Sequence, residues 1–249
     1  YCTNVEEYPL VKKEQMLECA ERSAECGAIR FSPVTSGGKL SDAEVDELCV
    51  SLREVKEKTS LSLCVSLGLL SKENFAKLKE AGVSRVHCNL ETSRKFFPEI
   101  CSTHTYEDKI AVLTAAREAG MSICSGGIMG MGESWSDRLD MAFELKELGV
   151  KSVPINFLNP IAGTPLENMP PLSDDERVRI VAVFRFILPD ASIRLAGGRG
   201  IMSDRGRACF TAGANAAITG DMLTTSGFEA KDDIAMLESI GYEVRLDGK

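Results

Sequence analysis

The sequence lacks the long apolar runs and the excess of positive charge that two large classes of protein require. No apolar stretch approaches the ~18 residues of a membrane-spanning helix, and no secretory signal peptide is visible. The chain has 29 basic and 37 acidic residues, a formal net charge of −8, which disfavours nucleic acid or an anionic membrane as a partner. We therefore expect neither of these partners, and we expect a cytoplasmic protein.

Linkers rich in proline, glycine or serine are also missing from the 249 residues, which predicts a single domain over residues 1–249. The nine cysteines show none of the short, regular spacings of a disulfide scaffold, and their odd number argues against complete pairing. Two interpretations stay open for them, reduced core thiols and metal ligands. We interpret Cys19, Cys49 and Cys101, on predicted helices or loops, as structural.

Hydrophobic patterning predicts seven strands that alternate with helices. The predicted strands are residues 28–34, 61–67, 85–91, 120–124, 151–158, 192–196 and 215–219. The predicted helices are residues 12–25, 72–81, 106–119, 205–211 and 232–240, one helix after Glu133, and two that open at the capping boxes Ser41–Glu44 and Ser173–Glu176. Repeated βα units require a parallel sheet, so the fold class is α/β.

The number of βα units points to a (β/α)8 TIM barrel. Because the sequence begins at Tyr1 rather than Met, we expect a first strand to precede it, which raises the strand number to eight. The alternative is a doubly wound open sheet. Polar or thiol residues recur near the carboxyl ends of the strands, and in a barrel these ends converge on one mouth, which favours the barrel. These residues are Ser32, Cys64, Asn89, Cys124, Asn156 and Arg194.

The stretch Cys124–Glu133 predicts a buried strand that opens into a glycine-rich loop. Its glycines, at positions 126, 127, 130 and 132, allow positive φ angles and leave room for a ligand to approach the backbone. An ordinary strand–helix turn would show a similar pattern, since a lone glycine-rich turn is weakly specific. The thiol of Cys124 at the head of the loop favours a functional interpretation.

Thiols and neutral polar groups make up the remaining candidates. Two or three thiols that project into one barrel interior suggest an iron–sulfur cluster, although each could be a small buried hydrophobe. Strand alternation places His87 and Asn89 on one side and Cys88 on the other, which weakens Cys88 as a ligand. His87, Asn89 and Asn156 suit an amide-like or urea-like substrate, and Glu91 could accept a hydrogen bond from a ribose diol.

A series of short motifs runs in order over nearly the whole chain. The motifs are Tyr1-x-Thr3, Glu14-Gln15-x-Leu17-Glu18, Arg30-Phe31, Asn89-Leu90-Glu91-Thr92-Ser93, Cys124 to Ile128, Gly130-x-Gly132-Glu133, Val153 to Asn156, Gly163-Thr-Pro165, Ile193-Arg-Leu195 and Ala212 to Asn215. Together they resemble biotin synthase, a family of radical S-adenosylmethionine enzymes. The resemblance implies a (β/α)8 barrel that cleaves S-adenosylmethionine at a [4Fe–4S] cluster. It also implies sulfur insertion into dethiobiotin from an auxiliary iron–sulfur cluster, [2Fe–2S] or a variant.

Residue by residue, the resemblance implies three groups of contacts. Asn89, Glu91, Gly127, Ile128 and Glu133 would bind S-adenosylmethionine, with Ile128 packed on its adenine. His87, Asn89 and Asn156 would contact dethiobiotin. Cys64, Cys124 and Arg194 fall at ligand positions of the auxiliary cluster, and Cys88 and Cys2 are further candidate ligands.

The sequence departs from the family pattern at three places. The CxxxCxxC loop that holds the [4Fe–4S] cluster is absent, and we expect it to precede Tyr1, although Cys2 could be read as its last cysteine. Ser32 stands where the family has a ligand cysteine, which predicts a variant auxiliary cluster that recruits Cys88 or Cys2. His87 and Cys88 stand where the family commonly has an asparagine and a histidine, and we expect substrate contacts there to differ from the family pattern.

The partners that the resemblance implies are dethiobiotin, an electron donor such as flavodoxin or ferredoxin, and a second copy in a homodimer. The alternative within the superfamily is a hydrogenase maturase or a methylornithine synthase. A noncatalytic barrel that binds a small molecule is a third class, but it would need neither clustered thiols nor the loop with Glu133.

Overall fold

The computed structural model describes residues 9–36, 38–220 and 227–245, which form two compact units. The N-terminal unit contains Tyr8–Cys88 and Glu107–Cys124, and the C-terminal unit contains Asn89–Tyr106 and Ser125–Val244. The single domain predicted over residues 1–249 stays a prediction. Among the described residues, no helix has the length and apolar character needed to cross a membrane.

The N-terminal unit is a parallel sheet of four strands with helices between them. Its strands, in sheet order, are β1 (Arg30–Phe31), β2 (Ser62–Val65), β3 (Val83–His87) and β4 (Ser122–Cys124). Its helices are α1 (Lys13–Glu25), α2 (Asp42–Lys58), α3 (Lys72–Glu80) and α5 (Tyr106–Glu118), the last starting at the unit boundary. Leu63, Val65, Val86 and Ile123 form the apolar face of this sheet and are buried.

The C-terminal unit repeats the same strand–helix order. Its parallel strands are β5 (Gly127–Met129), β6 (Ser152–Phe157), β7 (Ser192–Leu195) and β8 (Ala216–Ala217). Its helices are α4 (Phe97–Ile100), α6 (Trp135–Glu147), α7 (Asp174–Ile187), a 3-10 turn at Arg199–Ile201, α8 (Arg207–Thr211) and α9 (Ala230–Glu238). The buried pair Arg199–Asp233 ties α9 to the turn after β7 through bonds of 2.9 and 2.6 Å.

The parallel α/β class predicted from the sequence is confirmed, but several boundaries differ. The strand predicted over residues 85–91 ends at His87, so strict alternation does not reach Asn89. Strand β4 ends at Cys124, and a new strand, β5, begins at Gly127. Residues Gly127–Met129 therefore pair with β6 and do not form the open loop that the sequence predicted. Helix α4 was not predicted.

The two predicted capping boxes have different outcomes. Ser41 accepts a bond from Glu44 N, and Glu44 accepts one in return from Ser41 N, so this box is complete. Ser173 also caps its helix by accepting from Glu176 N. However, the Glu176 carboxylate binds Arg138 of α6 at 2.7 Å and is not assigned to a capping box, so only half of that prediction is correct.

Candidate active site

The glycine-rich segment of the C-terminal unit is closely surrounded by backbone. A Cβ on Gly126 would overlap the Pro154 carbonyl oxygen, and a Cβ on Gly127 would overlap the Glu91 carbonyl oxygen. The protein's own backbone therefore requires glycine at both positions, a different reason from the ligand approach suggested by the sequence. These main-chain atoms form a closely packed surface, which we call the platform.

Asn89 and Glu91 are held against this platform. Asn89 Oδ1 accepts from Gly126 N at 3.1 Å, and Asn89 Nδ2 donates to Glu91 Oε2 at 3.4 Å. Glu91 N donates to Gly126 O at 3.1 Å, and Glu91 O accepts from Ile128 N at 2.8 Å. The structure therefore brings together four residues predicted to bind S-adenosylmethionine, which are Asn89, Glu91, Gly127 and Ile128.

Glu91 adopts a backbone conformation that residues with a side chain rarely use. Its φ angle is +70°, in the left-handed region that favours glycine. The bonds from Glu91 N and to Glu91 O hold it there on both sides. Strain of this kind is stored where the position of a side chain matters for function, which supports Glu91 as a site residue.

Asn156 joins the platform from strand β6. Its Nδ2 donates to Gly127 O at 3.1 Å, and its Oδ1 accepts from Gly197 N at 2.9 Å. Both polar ends of the amide are thus engaged by backbone, one of them in the turn that follows β7. In β5, Ile128 is the register partner of Asn156, so the two side chains lie on the same face of the sheet.

Glu133 is engaged within the loop. One carboxylate oxygen accepts from Gly130 N at 2.8 Å and from Arg138 Nε at 2.7 Å, and the other accepts from Met131 N at 2.8 Å. The Glu133 side chain is 1% exposed. These contacts fix the shape of the loop, whereas a direct contact of Glu133 with S-adenosylmethionine stays a prediction.

The N-terminal unit carries the thiols on the polar face of its sheet. Register pairing matches Cys64 with Arg85 and His87 with Cys124, and partners in a parallel pair face the same side. Cys64 and Cys124 are 4% and 6% exposed. Arg85 and His87 are two residues apart on β3 and so lie on the same face, which places Cys64 and Cys124 on one face as well. His87 Nδ1 lies 3.4 Å from Cys124 Sγ.

The charge environment of Cys64 includes the other thiol. Burial raises the pKa of the Cys64 thiol to about 11, and the neighbouring Cys124 adds to the rise. A hydrogen bond with Ser32 and the charges of Arg85 and Arg30 act in the opposite direction. A thiol of this kind is protonated at neutral pH and becomes a thiolate when a metal binds it.

The remaining candidate metal ligands are Cys88, Arg194 and Cys2, and the first two lie outside the strands that carry Cys64 and Cys124. Cys88 follows the end of β3, is 7% exposed, and donates its N–H to Cys124 O at 3.0 Å. Arg194 lies on β7 of the C-terminal unit, where its Nη2 donates to Ser152 Oγ at 3.3 Å. Cys2 lies outside the described residues.

Two arginines near these sites were not predicted. Arg85 is 8% exposed, and its Nε donates to Ser122 Oγ at 3.3 Å on the face that carries Cys64. Strand alternation could have revealed it, since Arg85 lies two residues before His87. Arg138 binds Glu133 from the first turn of α6, and no local pattern in the sequence indicates that contact.

Comparisons with known proteins identify the chain. The Radical SAM superfamily model matches residues 1–157, and the Biotin and Thiamin Synthesis associated domain matches residues 154–243. The chain is 54% identical to a biotin synthase of Brachyspira hyodysenteriae, covering 99% of this chain and 74% of that protein. It is also 54% identical to a biotin synthase of Akkermansia muciniphila, covering 99% and 77%.

Solved structures agree on the fold. A crystal structure of methylornithine synthase matches with a TM-score of 0.83 at 18% identity, over 98% of this chain and 76% of that one. A maturase of the [FeFe]-hydrogenase matches with a TM-score of 0.80 at 17% identity, over 97% and 58%. The predicted fold class, a (β/α)8 type of α/β fold, is confirmed. The chain belongs to the radical S-adenosylmethionine superfamily and, within it, to the biotin synthase family.

The residues of the thiol face fit an auxiliary iron–sulfur cluster in part. Cys64 and Cys124 offer two soft thiols to such a cluster. Burial raises the pKa of Cys64, and the charges of Arg85 and Arg30 act in the opposite direction. Within residues 9–36, 38–220 and 227–245, no three Cys, His, Asp or Glu residues are grouped closely enough to hold a metal ion. Ser32, at a position where the resemblance to biotin synthase implies a ligand cysteine, offers a hydroxyl and no thiol to this set.

Proposed function

We propose that the chain inserts sulfur into dethiobiotin to form biotin, as a sulfurtransferase that depends on S-adenosylmethionine. The observation that carries the proposal is the pair of buried thiols, Cys64 and Cys124, on the polar face of the sheet of a chain 54% identical to biotin synthases. The methylornithine synthase and hydrogenase maturase alternatives are supported only by fold, at 17–18% identity.

The cofactors bring the radical chemistry and the sulfur, and the chain positions them. When bound, a [4Fe–4S] cluster with S-adenosylmethionine would supply the radical chemistry, and the auxiliary cluster would supply the sulfur. Asn89 and Glu91 offer an amide and a carboxylate to the ribose and amino acid portion of S-adenosylmethionine. Ile128 offers an apolar side chain to the adenine, beside the backbone of Gly127. Their shared hydrogen bonds support this assignment.

Dethiobiotin carries a cyclic urea, which needs both donors and acceptors. His87, Asn89 and Asn156 supply neutral groups of both kinds, and we assign them to this substrate. Asn156 already bonds Gly127 O and Gly197 N, so its part is to shape the site more than to offer a free amide. His87 also contacts the Cys124 thiol, which would place substrate and sulfur source near one residue.

The auxiliary cluster in this proposal is held by Cys64, Cys124 and Arg194, with a variant composition because Ser32 replaces a thiol. Cys88 or Cys2 would complete the set. For Cys88, the observation in favour is its position directly after His87, with its N–H bonded to Cys124 O. Removal of Cys88 tests this version, because iron and sulfide content that is unchanged in Cys88→Ala would exclude it.

Three further assignments rest on the family resemblance. We propose that flavodoxin or ferredoxin delivers the electron, that the enzyme is a homodimer, and that it works in the cytoplasm. Light scattering of the purified protein tests the dimer, and reduction of its cluster by each donor protein tests the electron source.

The experiment for the function is a reconstitution of the full-length protein without oxygen. We expect biotin from dethiobiotin, deoxyadenosine from S-adenosylmethionine, and more iron than one [4Fe–4S] cluster contains. Deoxyadenosine without biotin, together with iron for one cluster, would contradict sulfur insertion and favour the other radical enzymes of the superfamily.

A further inference from the structure

Arg138 is buried between two carboxylates of the C-terminal unit. Its Nε donates to Glu133 Oε1 at 2.7 Å, and its Nη1 donates to Glu176 Oε1 at 2.7 Å. The side chain of Arg138 is 5% exposed, and its guanidinium lies over the ring of Trp135, 4.9 Å from the ring centre. Burial alone lowers the pKa of Arg138, but the bonds to Glu176 and Glu133 outweigh it and the pKa is raised, so the charge is kept.

The carboxylate that Arg138 binds is the one that shapes the loop after β5. Glu133 accepts from the N–H groups of Gly130 and Met131, and both oxygens are used. A buried carboxylate keeps its charge only if it is paired and hydrogen-bonded. The two loop N–H groups therefore depend on Glu133, and Glu133 depends on Arg138.

The loop leads directly from the residue assigned to adenine. Gly130, with φ +99°, lies two residues after Ile128, and it is the first residue after β5. Gly132, with φ +107°, turns the chain back towards Glu133. A loop with two left-handed glycines has little conformational preference of its own, and the Glu133 bonds to Gly130 N and Met131 N hold it in one shape.

Glu176 extends the connection to a second helix. It lies in the first turn of α7, where its own N–H is capped by Ser173, and its side chain turns to Arg138 instead of completing the cap. Arg138 lies in the first turn of α6. One guanidinium therefore ties the loop to the first turns of two helices.

We propose that Arg138, supported by Glu176, is a positioning residue for S-adenosylmethionine, acting through Glu133 to hold the loop and Ile128 in the binding geometry. The inference rests on the proposed function, because it needs the glycine-rich platform to be the S-adenosylmethionine site. Arginine suits this task since its planar group donates in two directions at once, whereas lysine acts as a point charge.

The test is the dissociation constant for S-adenosylmethionine in the reconstituted full-length enzyme. We expect Arg138→Gln to weaken binding about tenfold, the effect of losing one charge-assisted hydrogen bond network. Arg138→Lys should recover part of the affinity, and Glu176→Gln should cost about threefold because one of two supports is lost. Glu176→Gln also serves as the informative variant if Arg138→Gln does not fold.

Arg177→Gln is the matched control. The Arg177 side chain is 4% exposed, and it pairs with Asp174 in the first turn of α7 and donates to Ile201 O, neither of which is a residue of the loop. We expect this variant to lower the melting temperature and to leave the affinity for S-adenosylmethionine within about twofold. Equal losses of affinity in Arg177→Gln and Arg138→Gln would overturn the proposal, because the effect would then be general destabilisation.

A double-mutant cycle separates positioning from simple packing. If Arg138 acts through Glu133, then Arg138→Gln made in a Glu133→Gln background should change the affinity little further. Effects that multiply would show that Arg138 acts by another route and would overturn the inference. A wild-type enzyme that does not bind S-adenosylmethionine would instead overturn the proposed function, and the inference with it.

Discussion

The two units of the molecule use polar groups in opposite ways. In the C-terminal unit, the side chains of Asn89, Asn156 and Glu133 form hydrogen bonds with the backbone of one glycine-rich segment. In the N-terminal unit, Cys64 and Cys124 are buried thiols whose neighbours are an imidazole, a hydroxyl and guanidinium groups. The first arrangement is held by hydrogen bonds within the protein, and the second places two thiols where we propose that a cluster binds.

The two arrangements depend on a bound group to different extents. Residues that are held by hydrogen bonds within the protein keep their positions without a ligand, so the structure of the protein alone shows how they are placed. Burial raises the pKa of the Cys64 thiol, which is therefore neutral until a metal displaces its proton, so the role of this residue depends on the bound group. Substitutions in the two units should therefore fail in different ways, and the following predictions test that contrast.

The largest effect should come from the thiols. Cys64→Ala and Cys124→Ala each remove a proposed ligand. Each should abolish biotin formation and the iron in excess of one [4Fe–4S] cluster. The fold should be retained, because the loss of one buried sulfur atom lowers the free energy of unfolding by only about 1 kcal/mol. Iron analysis and product detection measure this. Cys49→Ala is the control, a thiol that is 2% exposed in helix α2, and it should keep both iron and activity. Equal losses at Cys49 would remove the distinction.

The next effect should come from the platform. Gly126→Ala places a Cβ against the Pro154 carbonyl oxygen and should lower the free energy of unfolding by about 3 kcal/mol. Urea denaturation gives this value. Gly200→Ala should cost much less, since a Cβ there meets no atom within 4 Å. An unchanged free energy of unfolding in Gly126→Ala would mean that the platform can move to accept a Cβ, and it would contradict a platform fixed by the protein's own backbone.

A smaller loss of stability is expected at Asn156, where the measurements distinguish a structural role from a contact with the substrate. Asn156→Ala loses the bonds to Gly127 O and Gly197 N and should cost about 2 kcal/mol of stability and weaken S-adenosylmethionine binding. Asn215→Ala loses one bond, to Ile193 N at 2.8 Å, and should lower stability without changing that affinity. Calorimetry and ligand titration measure both. If only dethiobiotin binding changed, Asn156 would be a substrate contact and not a brace.

The smallest effect concerns pH and the C-terminal unit. Hydrogen bonds from Ser134 and then Ser93 lower the pKa of Asp137 from its usual 3.8. A carboxyl group with a lowered pKa adds stability above the usual value, and this stability is lost as the pH falls through the lower value of the folded state. We therefore expect the unfolding free energy of the metal-free chain to fall below about pH 4, and to fall less steeply in Asp137→Asn.

Unfolding in urea at a series of pH values measures this slope. A Ser93→Ala variant, which removes one of the two hydroxyl donors at 2.6 Å, should lie between the wild type and Asp137→Asn. Identical slopes in the three proteins would show that Asp137 is not the group responsible.

Local patterns predicted the parts of the molecule that local physics decides. The complete capping box at Ser41 and the shared face of Cys64 and Cys124 follow from spacing and strand order. Contacts between distant segments did not follow. Gly126, two residues after the end of β4, lies against the Pro154 carbonyl, and the Glu176 side chain binds Arg138 instead of completing its own helix cap. Both are decided by tertiary packing, which spacing does not report.

The most direct test of the account is a single turnover of enzyme reconstituted with isotopically labelled sulfide. If the thiol face holds the sulfur source, biotin should carry the label, and the variants Cys64→Ala and Cys124→Ala should form deoxyadenosine without labelled biotin. Biotin with unlabelled sulfur, or labelled biotin from both variants, would contradict the assignment of the thiol face as the site of the sulfur source.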